Sequence, residues 1–308
     1  MLAIFGQMYY NTQVISRCDE MVDVADSKSA ASDGVPVRVR SPAPKTKARF
    51  GVLFSIRRDP MYPFLHELLS DRKGGEVFTC FGPWHFFWIA LTAAVAAVLI
   101  LRLRKRPPET RQKLPRRLIA LAFGLYILDF FLMPLAYGEI DIEKMPFHAC
   151  TAMCVCCFWS CHSPRLGRFR ASFALLGFVS NVVYLIYPAG VMWHAVHPVS
   201  YRVIQTLGFH GLMSVACLLT LIFGDLGTWR QHLSVTAAMT AWAMLGNAVY
   251  NSEARLYNWF FVVRDPFGIL PAAVSPLVMP VLNIVLFFSV EMAVCNLLRR
   301  LRGGSHAL

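Results

Sequence analysis

The pattern of apolar and polar positions divides the chain near residue 82. From there on, apolar residues come in seven long blocks separated by short polar stretches. About 20 residues of helix cross the hydrocarbon core of a bilayer, and several blocks approach that length. The blocks predict spans over residues 84–101, 118–136, 145–161, 171–187, 203–223, 233–250 and 275–298. The expected fold class is all-α: a polytopic membrane helix bundle of about seven transmembrane helices.

Loop charge then predicts an orientation. The stretch "RLRKRPPETRQKLPRR" between the first two blocks is strongly basic, "GEIDIEK" before the third is acidic, "HSPRLGRFR" is basic again, and the C-terminal end carries "RRLRGG". Positive charge alternates loop by loop, as the positive-inside rule requires. The expectation is N-out/C-in, in a cell (plasma) membrane. Composition agrees: 56% of residues are hydrophobic and 16% charged, against about a quarter charged in a soluble domain. The net charge of +12 is therefore read as loop asymmetry, with no nucleic acid as partner. The nine cysteines lie mainly in apolar blocks, which argues against a secreted disulfide framework.

The first 50 residues carry no apolar period. Residues of about 18–44 resemble a bacterial leucine transfer-RNA gene translated in an open frame. Val37, Arg38 and Val39 fit its T-loop, and Ala43 and Pro44 can end in CCA. The expected organisation is a spurious or disordered extension over 1–60, a transmembrane helix-bundle domain over 61–302 with Met61 as initiator, and a disordered tail over 303–308.

With that topology, polar residues inside the blocks fall at one depth. His85, Asp129, His148, Asn181, His210, Asn247 and Asn251 all map to the outer half of the bundle, whereas the inner halves read as almost wholly apolar. Glu291 is the main exception and is expected to pair with Arg299 or Arg300, or to reach towards the inner surface. Ionisable residues inside spans are costly and mark functional sites; Asn and His also serve as interhelical hydrogen-bonding glue. The set points to a polar cavity opening outward. The outer loop "NSEARLYNWFFVVRDPFG" is expected either to form a lid on it or to be an ordinary surface loop.

The segment "MPFHACTAMCVCCFWSCH" packs five cysteines and two histidines into residues 145–162. Pro146 is expected in the first helical turn. Cys150 follows it closely enough for some thiolate stabilisation by the helix N-terminus. A nucleophilic thiol needs a base, and His148, two residues away, points to another helical face. His210, from another helix at matching depth and flanked by Gly208 and Gly211, is better placed. Asn247, Asn251 or Asp129 would orient it. Cys150, Cys154, Cys157 and Cys161 also form a stripe, which spans about 16 Å at 1.5 Å per residue and so cannot surround one ion. Packing is the plainest reading of the stripe, a nucleophile at Cys150 the second and a soft-metal site the third; no metal is assigned. Cys217 and Cys295 are read as packing.

Four segments, "GPWHFFWIAL", "KMPFHAC", "QTLGFHGLM" and "MLGNAVYNSEARLY…RDPFGILP", resemble in order and placement the YwaF-like membrane proteins, a family that includes the transmembrane-protein-164 acyltransferases. The resemblance covers residues of about 80–300. It implies a cysteine-dependent phospholipid acyltransferase or transacylase. Cys150 would carry the acyl chain as a thioester and His210 would act as base, with membrane phospholipids or lysophospholipids as partners. No cofactor is needed, since ester and thioester are close in energy. The alternative class is a non-enzymatic transporter or a small-molecule or lipid-binding membrane protein that uses the outer polar cavity.

Overall fold

The apolar blocks become helices whose ends are set by local chemistry. The computed structural model describes residues 76–137, 142–192, 196–252, 257–266 and 268–303, together with Leu69. The N-terminal extension, Met61, Arg255 and the tail from residue 304 lie outside the described residues. Among the described residues the seven long helices are α1 (Pro83–Arg104), α2 (Pro108–Tyr137), α3 (Ala149–Ser160), α4 (Arg170–Ile186), α5 (Tyr201–Phe223), α6 (Trp229–Tyr250) and α7 (Ser275–Gly303). Single helical turns lie at Pro164–Gly167 and Ala189–Met192, and 3-10 turns at Ile142–Lys144 and Trp259–Phe261. Among the described residues there is no strand.

Proline opens α1 at a position where a missing N–H costs nothing. The Ser200 and Thr228 hydroxyls cap α5 and α6, the latter in a capping box with Gln231. α2 starts ten residues before the expected span. The Arg111 guanidinium donates to the Arg104 and Arg106 carbonyls and folds the chain back, so much of the basic "loop" is helix.

α3 corrects a second boundary. The span expected from Met145 begins only at Ala149, with His148 at its N-cap, and Pro146 precedes the helix. The cause is remote in sequence. The Trp242 indole donates to the Pro146 carbonyl at 2.7 Å, which ties that backbone sideways to α6. Phe147 then turns into a nest made by Trp242, Tyr250 and Trp259. The nest floor is Gly246, whose missing side chain leaves the space that the Phe147 ring fills.

α1, α5 and α7 are long and apolar enough to cross a membrane by length and composition, and α3 and α4 are apolar but shorter. In the most apolar window of α5, 61% of residues are buried, against 11% in α1 and 22% in α7. α5 is therefore the axis of the bundle. It packs on α4, α2 and α1, while α3 packs on α4 and α2, and α6 on α7 and α4. Gly177 of α4 allows a close approach to two helices: a Cβ there would sit 3.1 Å from Cys217 Sγ of α5 and 3.3 Å from Met153 Cβ of α3. Gly211, expected to admit a neighbouring helix, does so for Thr92 of α1.

Gly246→Ala drives a methyl group into the Phe147 ring. The expected cost is about 1–3 kcal/mol, read as a lowered thermal midpoint of the detergent-solubilised protein. Adding Phe147→Leu should restore part of that loss; an unchanged midpoint for Gly246→Ala would contradict the packing.

Candidate functional site

Because α3 starts at Ala149, Cys150 lies in its first turn, deeper in the field of the helix N-terminus than the sequence implied. Its sulfur is within hydrogen-bonding reach of the N–H groups of Thr151 and of Cys150 itself. The side chain is half-buried and free of any disulfide.

His210 projects from the α5 axis and is buried. The Asn181 amide donates its NH2 to the Gly177 carbonyl of its own helix at 2.7 Å. Its oxygen therefore faces His210 Nδ1, also at 2.7 Å. An amide oxygen only accepts, so Nδ1 carries the proton and the lone pair of a neutral His210 lies on Nε2. The ring stacks on Tyr184, centroids 3.8 Å apart. Tyr184 also lies within electrostatic range of Cys150. Its hydroxyl accepts the Gly190 N–H, which fixes the ring from above.

Asp129 holds a different part of the site. Its buried carboxylate accepts from Lys144 Nζ at 2.6 Å and from the Tyr201 hydroxyl at 3.1 Å. The Tyr126 hydroxyl donates to the Lys144 carbonyl at 2.8 Å. Together α2 and α5 grip the 3-10 turn that leads into α3, so Asp129 positions the Cys150 segment rather than the His210 ring. Sequence reasoning missed Lys144, Tyr126, Tyr184 and Tyr201. Lys144 opens the "KMPFHAC" motif but ends the acidic stretch "GEIDIEK", and nothing in the pattern around the three tyrosines marks their partners.

The remaining sequence-selected residues are committed to backbone. His148 Nδ1 accepts the Phe260 N–H at 3.3 Å. Asn247 donates to the Ala243 and Trp259 carbonyls and accepts the Trp259 N–H; Asn251 does the same for both groups of Tyr257. His85 accepts the Phe81 N–H on Nδ1 at 2.9 Å, so its Nε2–H donates to the Leu185 carbonyl at 2.6 Å. Of the set, Asn181 bonds His210, which stacks on Tyr184, while Cys150 lies within electrostatic range of Tyr184 and His148 of His210; Asp129 pairs with Lys144, and His85, Asn247 and Asn251 act as clamps on backbone. The described part of the loop after α6 is not an ordinary surface loop: Tyr257, Trp259, Phe260 and Val262 are buried, and the Asn283 amide of α7 holds the Phe260 carbonyl.

The half of the bundle expected to be almost wholly apolar holds buried polar groups. His232, Thr236 and Thr240 of α6 and Glu291 and Cys295 of α7 are all buried. The Thr236 hydroxyl bridges both oxygens of Glu291, at 3.0 and 3.1 Å, and Cys295 Sγ lies 3.7 Å from His232 Nε2. Glu291 thus finds its partner one helix away rather than at Arg299 or Arg300. Along α3, Cys154 and Cys157 are buried in the core, and Cys157 meets Cys217 of α5. Among the described residues no group of three or more His, Cys, Asp or Glu side chains converges as a metal would require. Cys80, in the turn before α1, is pushed up to about 11 by burial, which keeps it a protonated thiol at neutral pH.

Asp129→Asn should weaken the grip on the α3 entrance by about 2 kcal/mol, and Tyr201→Phe by about 1. Chemical denaturation of the two single variants and the double variant measures the coupling. Strictly additive losses would mean that the Tyr201 hydroxyl does not act through Asp129.

The model of the TMEM164 family matches residues 80–296. That interval holds every side chain of the cluster around Cys150 and His210. No curated protein and no solved structure matches the chain. The family match spans well over half of the sequence, and together with the apolar helices it settles the class: the chain is a membrane protein of the TMEM164 family.

Proposed function

We propose that the chain is a cysteine-dependent acyltransferase acting on membrane phospholipids, with seven crossings, the N-terminus outside and the C-terminus cytoplasmic. The observation that carries the reading is the direction of the Asn181–His210 bond. It leaves Nε2 of His210 as an uncommitted base beside Tyr184, and Tyr184 is in turn within electrostatic range of Cys150 in the first turn of α3.

In the proposed reaction, Nε2 takes the thiol proton as Cys150 Sγ attacks an ester carbonyl of a phospholipid. The C–O bond breaks, the acyl group stays on sulfur as a thioester, and the imidazolium returns its proton to the departing lysophospholipid oxygen. A lysophospholipid hydroxyl then gives its proton to Nε2 and attacks the thioester, which restores the thiol. No oxidation, metal or nucleotide enters the balance. Apolar walls favour transfer over hydrolysis by excluding water. The Gly177 contact and the Asn181 bond hold the base at a fixed distance from its helix, the preorganisation that positioned catalysis requires.

A clickable long-chain phosphatidylcholine incubated with protein in nanodiscs should place a hydroxylamine-sensitive label on Cys150. Cys150→Ala should abolish both label and lipid exchange. His210→Ala should lower exchange by about 10²–10⁴-fold, and Asn181→Ala by about ten-fold through loss of one hydrogen bond. Exchange retained by pure Cys150→Ala protein would leave a binding protein or transporter as the reading. The topology has its own test: a C-terminal alkaline phosphatase fusion should be inactive and a C-terminal fluorescent protein bright.

A further inference from the structure

α1 packs chiefly on α5, and its hydrogen bond to α4 lies at the outer end, where His85 holds the Leu185 carbonyl. Below that bond, α1 and α4 stand apart. The gap is a cavity of about 200 Å³ between α1, α4 and α5. Its walls are small residues of α1, among them Thr92, Ala93 and Ala96, and the apolar side chains Phe178, Val182 and Leu218 of the other two helices. From Ile89 to Ala96 it runs seven residues along α1, about 10 Å, or roughly two-thirds of one leaflet of a 30 Å core. It opens sideways past Ala93 and Ile186, both exposed.

One feature is out of place in such a slot. Ser214 of α5 lines it, is 3% exposed, and its hydroxyl has no hydrogen-bond partner. A leucine at that position would fill the space and leave nothing unpaired, so the small side chain keeps the slot open at the expense of an unsatisfied group. The slot and the Cys150 cluster lie on opposite sides of the α4–α5 seam. On α4, Gly177 meets Met153 of α3 and Asn181 meets His210, whereas Phe178 and Val182 face the slot.

We infer that this slot is a binding site for one acyl chain of a membrane lipid, separate from any chain handled at Cys150. The occupant follows from the surroundings. The slot is flanked by α1 and α5, both membrane-crossing by length and composition, so hydrocarbon is the medium at its open side. The opening has no charged rim that would select a headgroup: every lining residue is apolar except Thr92 and Ser214. A chain lying there contacts the helices that carry Asn181 and His210, yet the inference stands without the thiol chemistry.

The test uses the full-length protein in phosphatidylcholine nanodiscs containing a trace of phospholipid with a diazirine midway along one acyl chain. After irradiation, peptide mapping should find adducts on the slot residues, such as Val182 and Leu218, at several times the yield on Leu277 and Val281, which are simply exposed on α7. Ser214→Phe, which fills the slot, should reduce the slot adducts to that background. Ser214→Ala, which removes the hydroxyl but not the space, should retain them and so controls for folding. Equal yields on slot and α7 residues, or slot adducts unaffected by Ser214→Phe, would overturn the inference. So would a dimer in native mass spectrometry that Ser214→Phe dissolves, since the slot would then receive a second copy of the chain.

Discussion

Backbone that leaves the helix inside a bilayer must find its hydrogen bonds within the protein, because lipid offers none. The end of the bundle that holds the N-terminus of α3 is built around that constraint. Two segments outside the α-helices, 142–148 and 257–263, enter among them, and side chains from three different helices meet their backbone groups. Tyr126 of α2 takes the Lys144 carbonyl, Trp242 of α6 the Pro146 carbonyl, Asn247 of α6 both groups of Trp259, and Asn283 of α7 the Phe260 carbonyl. His148, at the N-cap of α3, accepts the Phe260 N–H and so joins the two segments.

That accounting explains a distortion that would otherwise be costly. Phe260 and Phe261 both have φ of 54°, a left-handed conformation that strains a bulky residue by about 1–3 kcal/mol. It is held because Phe260 packs on Phe287 in the core while its N–H and carbonyl are both taken. The same insertion shortens α3. Twelve residues give a helix of about 18 Å, well short of a 30 Å core, and the inserted segments occupy the difference. In the proposed topology, the N-terminus of α3, with Cys150, therefore sits below the outer surface, near the depth of a phospholipid ester.

What was legible in the sequence follows from how local each cause is. Helices α1, α4, α5 and α7 could be read within a few residues, because an apolar run and a cap are both near-neighbour signals. The start of α2 was hidden by charge: its first turns are basic and stay outside the apolar block. The start of α3 was set by Trp242 and Gly246, about 100 residues away, and no pattern around Pro146 announces them. The pairing of His210 with Asn181 was available only as equal depth. The choice of Asn181, rather than Asn247, to orient the imidazole depends on which helix faces which. Asn247 and Asn251 looked equivalent to Asn181 in sequence, yet they serve loop backbone. His232 and the Thr236–Glu291 pair were missed for a related reason: scattered threonines in an apolar helix look neutral until a carboxylate from another helix meets them.

The chemistry proposed for Cys150 has to work without a buried countercharge. A carboxylate beside His210 would stabilise an imidazolium, but leaving a net charge in an apolar bundle is expensive. Asn181 avoids that cost, since it is a neutral acceptor that fixes ring orientation and tautomer without adding charge. In return it offers little to a persistent thiolate–imidazolium pair. The resting state of such a site is therefore the neutral thiol and neutral imidazole, and proton transfer to Nε2 is favourable only as sulfur forms its bond to carbon. A thiol that ionises only when an ester carbonyl is in place is protected from water and oxidants between turnovers. On this reading the Asn181–His210 bond makes the base orderly and also makes the nucleophile conditional on its substrate.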